Sequence, residues 1–458
     1  MSATQAHPKG LYLLFATEMW ERFSYYGNRA LLALFMISAL SFDKHFTAAL
    51  YGQYTGLVFL TPLIGGFVAD RYWGNSRSIL VGGLLMAAGQ FMLFFAGSFY
   101  TDLSVALPFF YSGLGLICIG NGFFKPNIST MVGQLYEPND SRKDAAYTIF
   151  YMGINLGSFA APLICGTLGD TGNPADFRWG FLAAGTGMLM SLVVFQSFKK
   201  KYLLSPSGEL LGLPPKRLTA AEKAQVDTSL STIDIQRMAV IGVLSFFVIF
   251  FWSAFEQAGV SLTFFAREST DRMIMGFEVP ASWFQSLNPV FVLIFAPIMA
   301  RLWMSLSAKG REPASPTKMA WGLILLGLGY VVIALGVDGI GDGMKVSMLW
   351  LITMYWLHTM GELCLSPIGL SLVNKLAPAR LASLLMAVWF LANAAANWFA
   401  GILAGFYPEA GKPFPSFMGF TISNLHEFFM LFVAMSLTAG GILLLASKPL
   451  QKMMHGVR

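Results

Sequence analysis

The stretch KKKYLLSPSGELLGLPPK, residues 199–216, opens the only long polar segment of the chain, which continues to residue 236. Apolar residues make up 55% of the 458 residues, and charged residues make up 12%. A soluble globular protein carries about 25% charged residues, so about half of the usual charge is missing. The composition therefore excludes a soluble enzyme, a disordered chain and a nucleic-acid binder, and it predicts an integral membrane protein.

Apolar runs long enough to cross a bilayer lie on both sides of this segment. A transmembrane helix needs about 20 mostly apolar residues, and backbone groups without water partners in lipid must be helical. Six runs precede the segment, near 11–40, 49–70, 78–99, 104–134, 145–168 and 178–198, and six follow it, near 237–266, 282–300, 319–337, 346–374, 381–407 and 428–447. We predict an all-α membrane protein with 12 transmembrane helices in two six-helix bundles, residues 1–198 and 237–458, joined by a cytoplasmic linker over 199–236.

The loops carry an uneven distribution of basic residues. With the N-terminus placed in the cytoplasm, 21 Lys and Arg residues fall on the cytoplasmic side and 6 on the other side, which is the expected bias for this orientation. Both termini are therefore predicted to be cytoplasmic, and the net charge of +6 indicates topology rather than nucleic-acid binding. In the linker, 218–231 is predicted to form a short surface helix with Thr219 as N-cap and Glu222 three residues later.

Seven charged residues remain inside the predicted spans. They are Glu18, Glu21, Arg22, Arg29, Lys125, Glu256 and Glu362. Each costs about 2.5–3.5 kcal/mol on insertion scales, so an intramembrane charge indicates function by default. The alternative is a set of fixed ion pairs that only hold helices together. Four acids against three bases leave one surplus negative charge, which one bound proton would neutralise.

The first run carries most of these charges on one face. At 100° per residue, Glu18, Glu21, Arg22, Tyr25, Tyr26 and Arg29 fall within an arc of about 140°. We expect this polar stripe to line a water-filled cavity, with Glu18 and Arg22 paired at i,i+4. A desolvated carboxylate beside a like charge binds a proton more tightly, which is a physical basis for proton coupling. His358, inside the tenth run, is interpreted as a packed residue rather than a proton carrier.

Several motifs resemble one transporter family. EMWERFSYYG (18–27) matches the first-helix signature of the proton-dependent oligopeptide transporter family at every fixed position. Five further segments resemble that family: FYMGINLGS (150–158), GFFKPN (122–127), WSAFEQ (252–257), SLNP (286–289) and GELCLSP (361–367). GFVADRYWG (66–74) resembles the loop signature of the wider major facilitator superfamily, in which Asp70 and Arg71 can pair across a gate. The resemblance implies the major facilitator fold over nearly the whole chain.

The resemblance also implies a function and a set of site residues. The family imports di- and tripeptides together with protons. The proton-coupling residues would be Glu18, Glu21, Arg22, Lys125 and Glu362, and Lys125 and Glu362 would pair across the two halves. The gate residues would be Arg29 and Glu256. The substrate-binding residues would be Tyr25, Tyr26, Arg29, Lys125, Asn155, Trp252, Asn288, Glu362, Ser366 and Trp389, with Arg29 and Lys125 at the peptide carboxylate and Asn155, Asn288 and Glu362 at its amino end.

Two positions depart from the family pattern. Phe59 stands where the family often has a substrate-contacting tyrosine, and Gly52 stands next to Tyr51 where animal members place a coupling histidine. Proton handling is therefore expected to rest on carboxylates. Many bacterial members also carry two additional helices between the halves, for which 199–236 is too polar.

The predicted function is a proton-coupled symporter for di- and tripeptides in the cell membrane, the inner membrane of a bacterium. An alternative on the same fold is a proton-coupled carrier of nitrate, drugs or other small molecules, and a further alternative is a non-transporting sensor or channel. An enzyme is not expected, because no nucleophile with its base, metal-ligand spacing or phosphate loop is found in the sequence. No cofactor other than the coupling proton and no nucleic acid is expected. The expected partners are peptide, protons and lipid, and the expected state is a monomer.

Overall fold

The computed structural model describes residues 6–137, 140, 142–214, 231–341, 343–378, 381–409, 411–417 and 419–457. Within these ranges, the side chains of 366–371, 374, 382 and 383 are not described. The predicted linker helix, with Thr219 and Glu222, lies outside the described residues except for its last position. That residue, Ser231, caps the following helix: its hydroxyl accepts from the backbone N of Asp234 at 3.1 Å, and the Asp234 carboxylate accepts from the Ser231 backbone N at 3.0 Å.

The described residues before the linker contain six long helices. These are α1 (Lys9–Ser38), α2 (Lys44–Val68), α3 (Asn75–Ser98), α4 (Leu103–Gln134), α5 (Lys143–Gly169) and α6 (Phe177–Tyr202). A π-helical turn, Ala69–Trp73, extends α2, and a 3₁₀ turn, Pro174–Asp176, precedes α6. Each helix coincides with one of the six runs predicted for this half.

Seven α-helices follow in the described residues. These are α7 (Thr232–Phe255), α8 (Ser261–Glu268), α9 (Leu287–Ala308), α10 (Ser315–Gly336), α11 (Met348–Leu376), α12 (Ala382–Ala404) and α13 (Leu425–Met453). A 3₁₀ turn, Glu256–Gly259, separates α7 from α8 inside the seventh predicted run, and another, Ala281–Ser286, precedes α9. All twelve predicted runs therefore fall on helical segments.

Ten of the described helical segments are long and apolar enough to cross a membrane. The other two long helices, α1 and α11, carry polar residues at mid-length, including Glu18, Glu21 and Arg22 in α1 and His358 and Glu362 in α11. The chain is therefore a multi-pass membrane protein. The count of twelve crossings and the cytoplasmic position of both termini stay predictions.

Three short strand pairs lie in the loops of the described chain. β1 (Thr270–Asp271) pairs in parallel with β4 (Val346–Ser347). β2 (Met273–Ile274) and β3 (Phe277–Glu278) form an antiparallel hairpin, as do β5 (Ser416–Phe417) and β6 (Phe420–Thr421). Each strand has two residues, so these pairs shape loops and do not form a core sheet.

The described residues group into two compact units. The first takes in those of Met1–Ser41 and Leu57–Lys216, and the second those of Phe42–Gly56 and Arg217–Arg458. The units follow the two predicted bundles except for Phe42–Gly56, the first part of α2, which groups with the second unit. The predicted bundle boundaries stay a prediction.

Within the first unit, small residues let helices pack closely. A Cβ atom added to Gly82 of α3 would lie 2.6 Å from the carbonyl oxygen of Gly120 of α4, so the two backbones are in direct contact. Close contact at small residues is the usual way in which membrane helices associate. A buried apolar cluster that includes Leu14, Phe124 and Phe195 fills the space between α1, α4 and α6.

Within the second unit, Tyr330 of α10 is fully buried at the centre of the packing. Its hydroxyl donates to the carbonyl oxygen of Ala254 in α7 at 2.7 Å, and its ring stacks on Phe432 of α13 at 4.8 Å. A buried phenol usually finds such a partner. This residue therefore ties three helices of the unit together.

The loop after α2 contains the superfamily motif. Gly74 has a φ of +72°, and a Cβ atom there would lie 2.5 Å from the carbonyl carbon of Leu213, so only glycine fits. Asp70 and Arg71 were predicted to pair across a gate. The guanidinium of Arg71 lies over the rings of Phe67 and Tyr72, at 5.8 and 6.0 Å. The pairing across a gate stays a prediction.

Candidate functional site

Three charged residues of α1 form one ion cluster in the first unit. The guanidinium of Arg22 donates through Nε and Nη2 to the two carboxylate oxygens of Glu21, with Nη2 2.7 Å from Oε1. The same Nε lies 3.0 Å from Oε1 of Glu18, one turn earlier. Glu18, Glu21 and Arg22 are 2%, 0% and 2% exposed. The predicted i,i+4 pair is present, and it is part of a larger cluster.

The cluster has two acids and one base, so it carries a surplus negative charge when both carboxylates are ionised. Among the described residues, Oε2 of Glu18 has no hydrogen-bond partner. A buried acceptor without a donor is costly. Lys125 of α4 is close enough for its charge to act on both carboxylates. Of the two acids, Glu18 is therefore held by fewer hydrogen bonds.

The expectation that the whole stripe lines a water-filled cavity is wrong for these three residues, which are almost fully buried. The physical reason is that Arg22 donates hydrogen bonds to Glu21 and contacts Glu18, so one of the two negative charges is compensated without water. Tyr25 is also buried and lies 5.4 Å below the Arg22 guanidinium. Tyr26 is only half-buried, and the guanidinium of Arg29 lies 5.8 Å from its ring.

Lys125 and Asn155 complete the predicted residues of the first unit. Lys125 is half-buried, nine residues before α4 ends at Gln134, and its Nζ lies 4.5 Å from the centre of the Phe59 ring. Asn155 of α5 is 5% exposed, and its Nδ2 donates to the carbonyl oxygen of Tyr151 at 2.9 Å. Phe59, noted in the sequence only as a departure, therefore contacts a predicted site residue.

In the second unit, Asn288 at the start of α9 contacts Glu362 of α11. Its Nδ2 donates to Oε2 of Glu362 at 2.7 Å and to Oγ1 of Thr359 at 3.1 Å. Glu362 is 8% exposed, and the charge of Glu256 acts on it. Two residues predicted for the amino end of a peptide are thus brought together. Thr359 was missed, although it lies three residues before Glu362 on the same helix face.

The break between α7 and α8 holds a second residue that the sequence reasoning missed. Gln257 is fully buried, its Nε2 donates to the carbonyl oxygens of Ala400 at 2.9 Å and Ser253 at 3.0 Å, and its Oε1 accepts from Ser261 at 2.5 Å. The bond to Ser253 satisfies a carbonyl in the last turn of α7, and the bond to Ala400 joins the break to α12. The available signal was a polar residue beside Glu256 within an apolar run.

The remaining predicted residues of the second unit are aromatic or lie outside the described side chains. Trp252 is half-buried and packs edge-on against Phe251 and Phe255 at 5.2 and 5.1 Å. Trp389 of α12 is 6% exposed. The side chain of Ser366 lies outside the described part of the chain.

His358, expected to be a packed residue, lies 4.7 Å from the ring of Tyr330 and is 2% exposed. Its Nε2 has no hydrogen-bond partner among the described residues. The predicted pairs Lys125–Glu362 and Arg29–Glu256, each of which joins the two units, stay predictions.

Replacement of Arg22 by leucine is expected to destabilise the protein by about 3–5 kcal/mol, because two buried carboxylates lose their counterion. The loss should shrink as the pH falls and the carboxylates take up protons. Thermal unfolding of the purified protein over a range of pH checks this. Arg142→Leu, which breaks a surface pair with Asp140 at 2.6 Å, is the control and should change the unfolding temperature little. Equal unfolding temperatures for both variants would contradict the prediction.

In the described part of the chain, no three His, Cys, Asp or Glu side chains are grouped so that they could hold a metal ion. The three cysteines, Cys118, Cys165 and Cys364, are buried and form no disulfide in the described structure.

Comparison with known proteins places the chain in a family. A sequence model of the POT family matches residues 76–210 and 216–418. The chain is 38% identical to an uncharacterized transporter of Bacillus subtilis (strain 168), over 98% of this chain and 96% of that protein. It is 36% identical to a peptide transporter of Yersinia enterocolitica subsp. palearctica serotype O:3, over 87% of this chain and 88% of that protein.

A solved structure gives the same result. The crystal structure of a glutamate-to-glutamine mutant of the peptide transporter POT, in complex with alafosfalin, matches with a TM-score of 0.85 and 34% identity, over 99% of this chain and 97% of that one. The predicted family and the prediction of a transporter rather than an enzyme are confirmed. The chain belongs to the POT family of membrane transporters.

Proposed function

We propose that this protein is a proton-coupled symporter that imports di- and tripeptides across the inner membrane of a bacterium by alternating access. Relatives that match most of this chain are named peptide transporter and di-/tripeptide transporter. The observation that carries the proposal is the buried cluster of Glu18, Glu21 and Arg22, which has two acids and one base. Such a cluster is electrically neutral only when one proton is bound, and a net charge within a membrane span is costly.

On the proton side, Glu18 is the carboxylate that we assign to the coupled proton. Arg22 donates two hydrogen bonds to Glu21 but makes one contact with Glu18, and Oε2 of Glu18 has no partner among the described residues. A proton on that oxygen removes the surplus charge and lets Arg22 pair with Glu21 alone. Lys125, whose charge acts on both acids, links the proton state to the state of the substrate.

On the peptide side, a zwitterionic substrate brings an ammonium group and a carboxylate a short distance apart. We assign the ammonium to Glu362, held in place by Asn288, with Asn155 as a further polar contact. We assign the carboxylate to Arg29 and Lys125, because a guanidinium can bind a carboxylate through two parallel hydrogen bonds. The substrate side chains would contact Tyr25, Tyr26, Trp252, Ser366 and Trp389. Arg29 with Glu256 would form a gate.

The assembly is proposed to work as a monomer in lipid, with the proton as its coupling ion and no other cofactor. One proton that crosses at 100 mV supplies about 2.3 kcal/mol, and one pH unit adds about 1.4 kcal/mol. Together these would support roughly 500-fold accumulation of peptide per proton. That is sufficient for a nutrient importer.

The test is uptake of a labelled dipeptide into proteoliposomes that contain the purified protein, with an imposed pH gradient and membrane potential. We expect accumulation that collapses when both gradients are removed. Uptake that ignores both gradients would contradict proton coupling. Saturable uptake of labelled nitrate that unlabelled dipeptide does not inhibit would instead favour the alternative carrier. The Asn288–Glu362 pair argues against that carrier because nitrate has no ammonium group.

Asn288→Ala is expected to weaken dipeptide binding about tenfold, because a hydrogen bond to a charged group contributes about 1.5–3 kcal/mol and here it orients the Glu362 carboxylate. The measurement is the KM for a dipeptide and for the same dipeptide with an acetylated amino end. The acetylated peptide lacks the ammonium group, so its KM should be higher than that of the free dipeptide and should be the same in the unaltered protein and in Asn288→Ala. Asn393→Ala is the matched control, since among the described residues its Nδ2 donates to its own helix, to the carbonyl oxygen of Trp389 at 2.8 Å. Equal effects on both peptides would contradict the assignment.

A further inference from the structure

Phe59 of α2 lies directly beneath the ammonium group of Lys125. The distance from Nζ to the ring centre is 4.5 Å, shorter than for any other cation–ring contact in the described residues, of which the next is Lys318 over Trp303 at 4.7 Å. Both Phe59 and Lys125 are half-buried. A cation at this distance from an aromatic face is attracted by the quadrupole of the ring, and more strongly where water is displaced.

Backbone contact between α2 and α4 fixes the ring relative to the ammonium. Two residues after Phe59, the hydroxyl of Thr61 donates to the carbonyl oxygen of Cys118 at 2.8 Å. A Cβ atom on Gly122 would lie 2.7 Å from Cβ of Thr61, and one on Gly65 would overlap the carbonyl group of Gly122. These contacts fix the register of the two helices in this structure and place the ring under the lysine.

The chemistry of a phenyl ring differs from that of a phenol at this place. An ammonium group has three N–H donors and no acceptor. A hydroxyl close to it would accept one of those donors, whereas a ring face attracts the charge without supplying an oxygen acceptor. With phenylalanine at position 59, the ring stabilises the charge of Lys125 and accepts none of its N–H donors through an oxygen.

We propose that Phe59 is a positioning residue that holds the charged Lys125 for the carboxylate of the substrate, so that binding selects substrates with a free carboxylate. This inference rests on the proposed function, in which Lys125 contacts the peptide carboxylate. Phe59 acts through Lys125 and needs no contact with the peptide. It is therefore the electrostatic character of the ring, and not only its shape, that sets the affinity.

The experiment varies the ring electrostatics at constant shape. Mono-, di- and trifluorophenylalanine are incorporated at position 59, and Phe59→Leu removes the ring. The dissociation constant of a dipeptide is measured from the stabilisation that it gives against thermal unfolding. We expect affinity to fall stepwise with each fluorine and by about tenfold for Phe59→Leu, within the range of a partly desolvated cation–π contact. A dipeptide with an amidated carboxyl end should show no trend.

The Lys125→Met background separates this role from packing. In that background Phe59→Leu should have no further effect on affinity, since the residue through which the ring acts is gone. Tyr202→Leu, which removes a ring 5.3 Å from Lys201 at the end of α6, is the control and should leave affinity unchanged.

Three outcomes distinguish the inference from the function on which it rests. A flat response across the fluorinated series, in a protein that binds dipeptide and loses affinity on Lys125→Met, overturns the inference and leaves the proposed function in place. The inference is also overturned, and the proposed function left in place, if Phe59→Leu lowers the affinity for dipeptide equally in the Lys125 protein and in the Lys125→Met background. Failure of the unaltered protein to bind any dipeptide overturns both.

Discussion

Glu21→Gln is expected to abolish proton-driven accumulation of peptide, from up to roughly 500-fold per proton to about one, while peptide counterflow continues. Glutamine has nearly the same size as glutamate and can still contact Arg22 through its amide oxygen. The change makes Glu18 and Arg22 a balanced pair, so the cluster no longer has a surplus charge for a proton to neutralise. Exchange of peptide for peptide needs no net movement of protons, so it should survive.

The measurement compares the two activities in the same proteoliposomes. Glu278→Gln is the matched control, because Glu278 pairs with Arg272 at 2.7 Å but is exposed in the β2–β3 hairpin. It should change neither activity. Glu21→Gln could instead remove uptake and counterflow equally while the protein remains folded. The cluster would then be a fixed set of ion pairs that holds α1 in place, and the proposal that it couples protons to transport would be wrong.

The helices were predictable because their signal is local. Each apolar run is long enough to span lipid, and the lack of water there leaves the backbone no alternative to helix. The break at Glu256–Gly259 was not predictable, because Gln257 within it bonds to the carbonyl oxygen of Ala400 in α12, far away in sequence. The capping of α7 by Ser231 was also missed, although Asp234 three residues later is a local capping-box signal.

The candidate site was predictable to the extent that its residues share a helix. The spacing of Glu18 and Arg22 indicates their ion pair without any knowledge of the fold. The contact of Asn288 with Glu362 joins two helices, and only the family resemblance indicated it. The burial of the α1 cluster was predicted wrongly, since periodicity shows that polar residues share a face but not whether water or another helix covers that face.

The first part of α2 contacts α12 through two glycines in the described second unit. A Cβ atom on Gly52 would lie 2.6 Å from Cα and 2.9 Å from N of Gly401 in α12, and 3.1 Å from the carbonyl oxygen of Asn397. These are backbone atoms, which cannot move aside as a side chain can. At the start of the same helix, Lys44 pairs with Glu268 at 2.6 Å.

Gly52→Val is therefore expected to force α2 away from α12, to destabilise the protein by about 1–3 kcal/mol or more and to abolish uptake. Separation of the helices should expose Asn397, which is 2% exposed, so a cysteine placed there should react with an impermeant maleimide only in the Gly52→Val background. The native cysteines are buried and give little background.

Gly242→Val of α7 is the matched control, since its Cβ would meet nothing within 4 Å. A contact through two backbones leaves no room for a valine side chain. If both variants nevertheless unfold at the same temperature and label equally, the contact of Gly52 with Gly401 does not hold α2 in place.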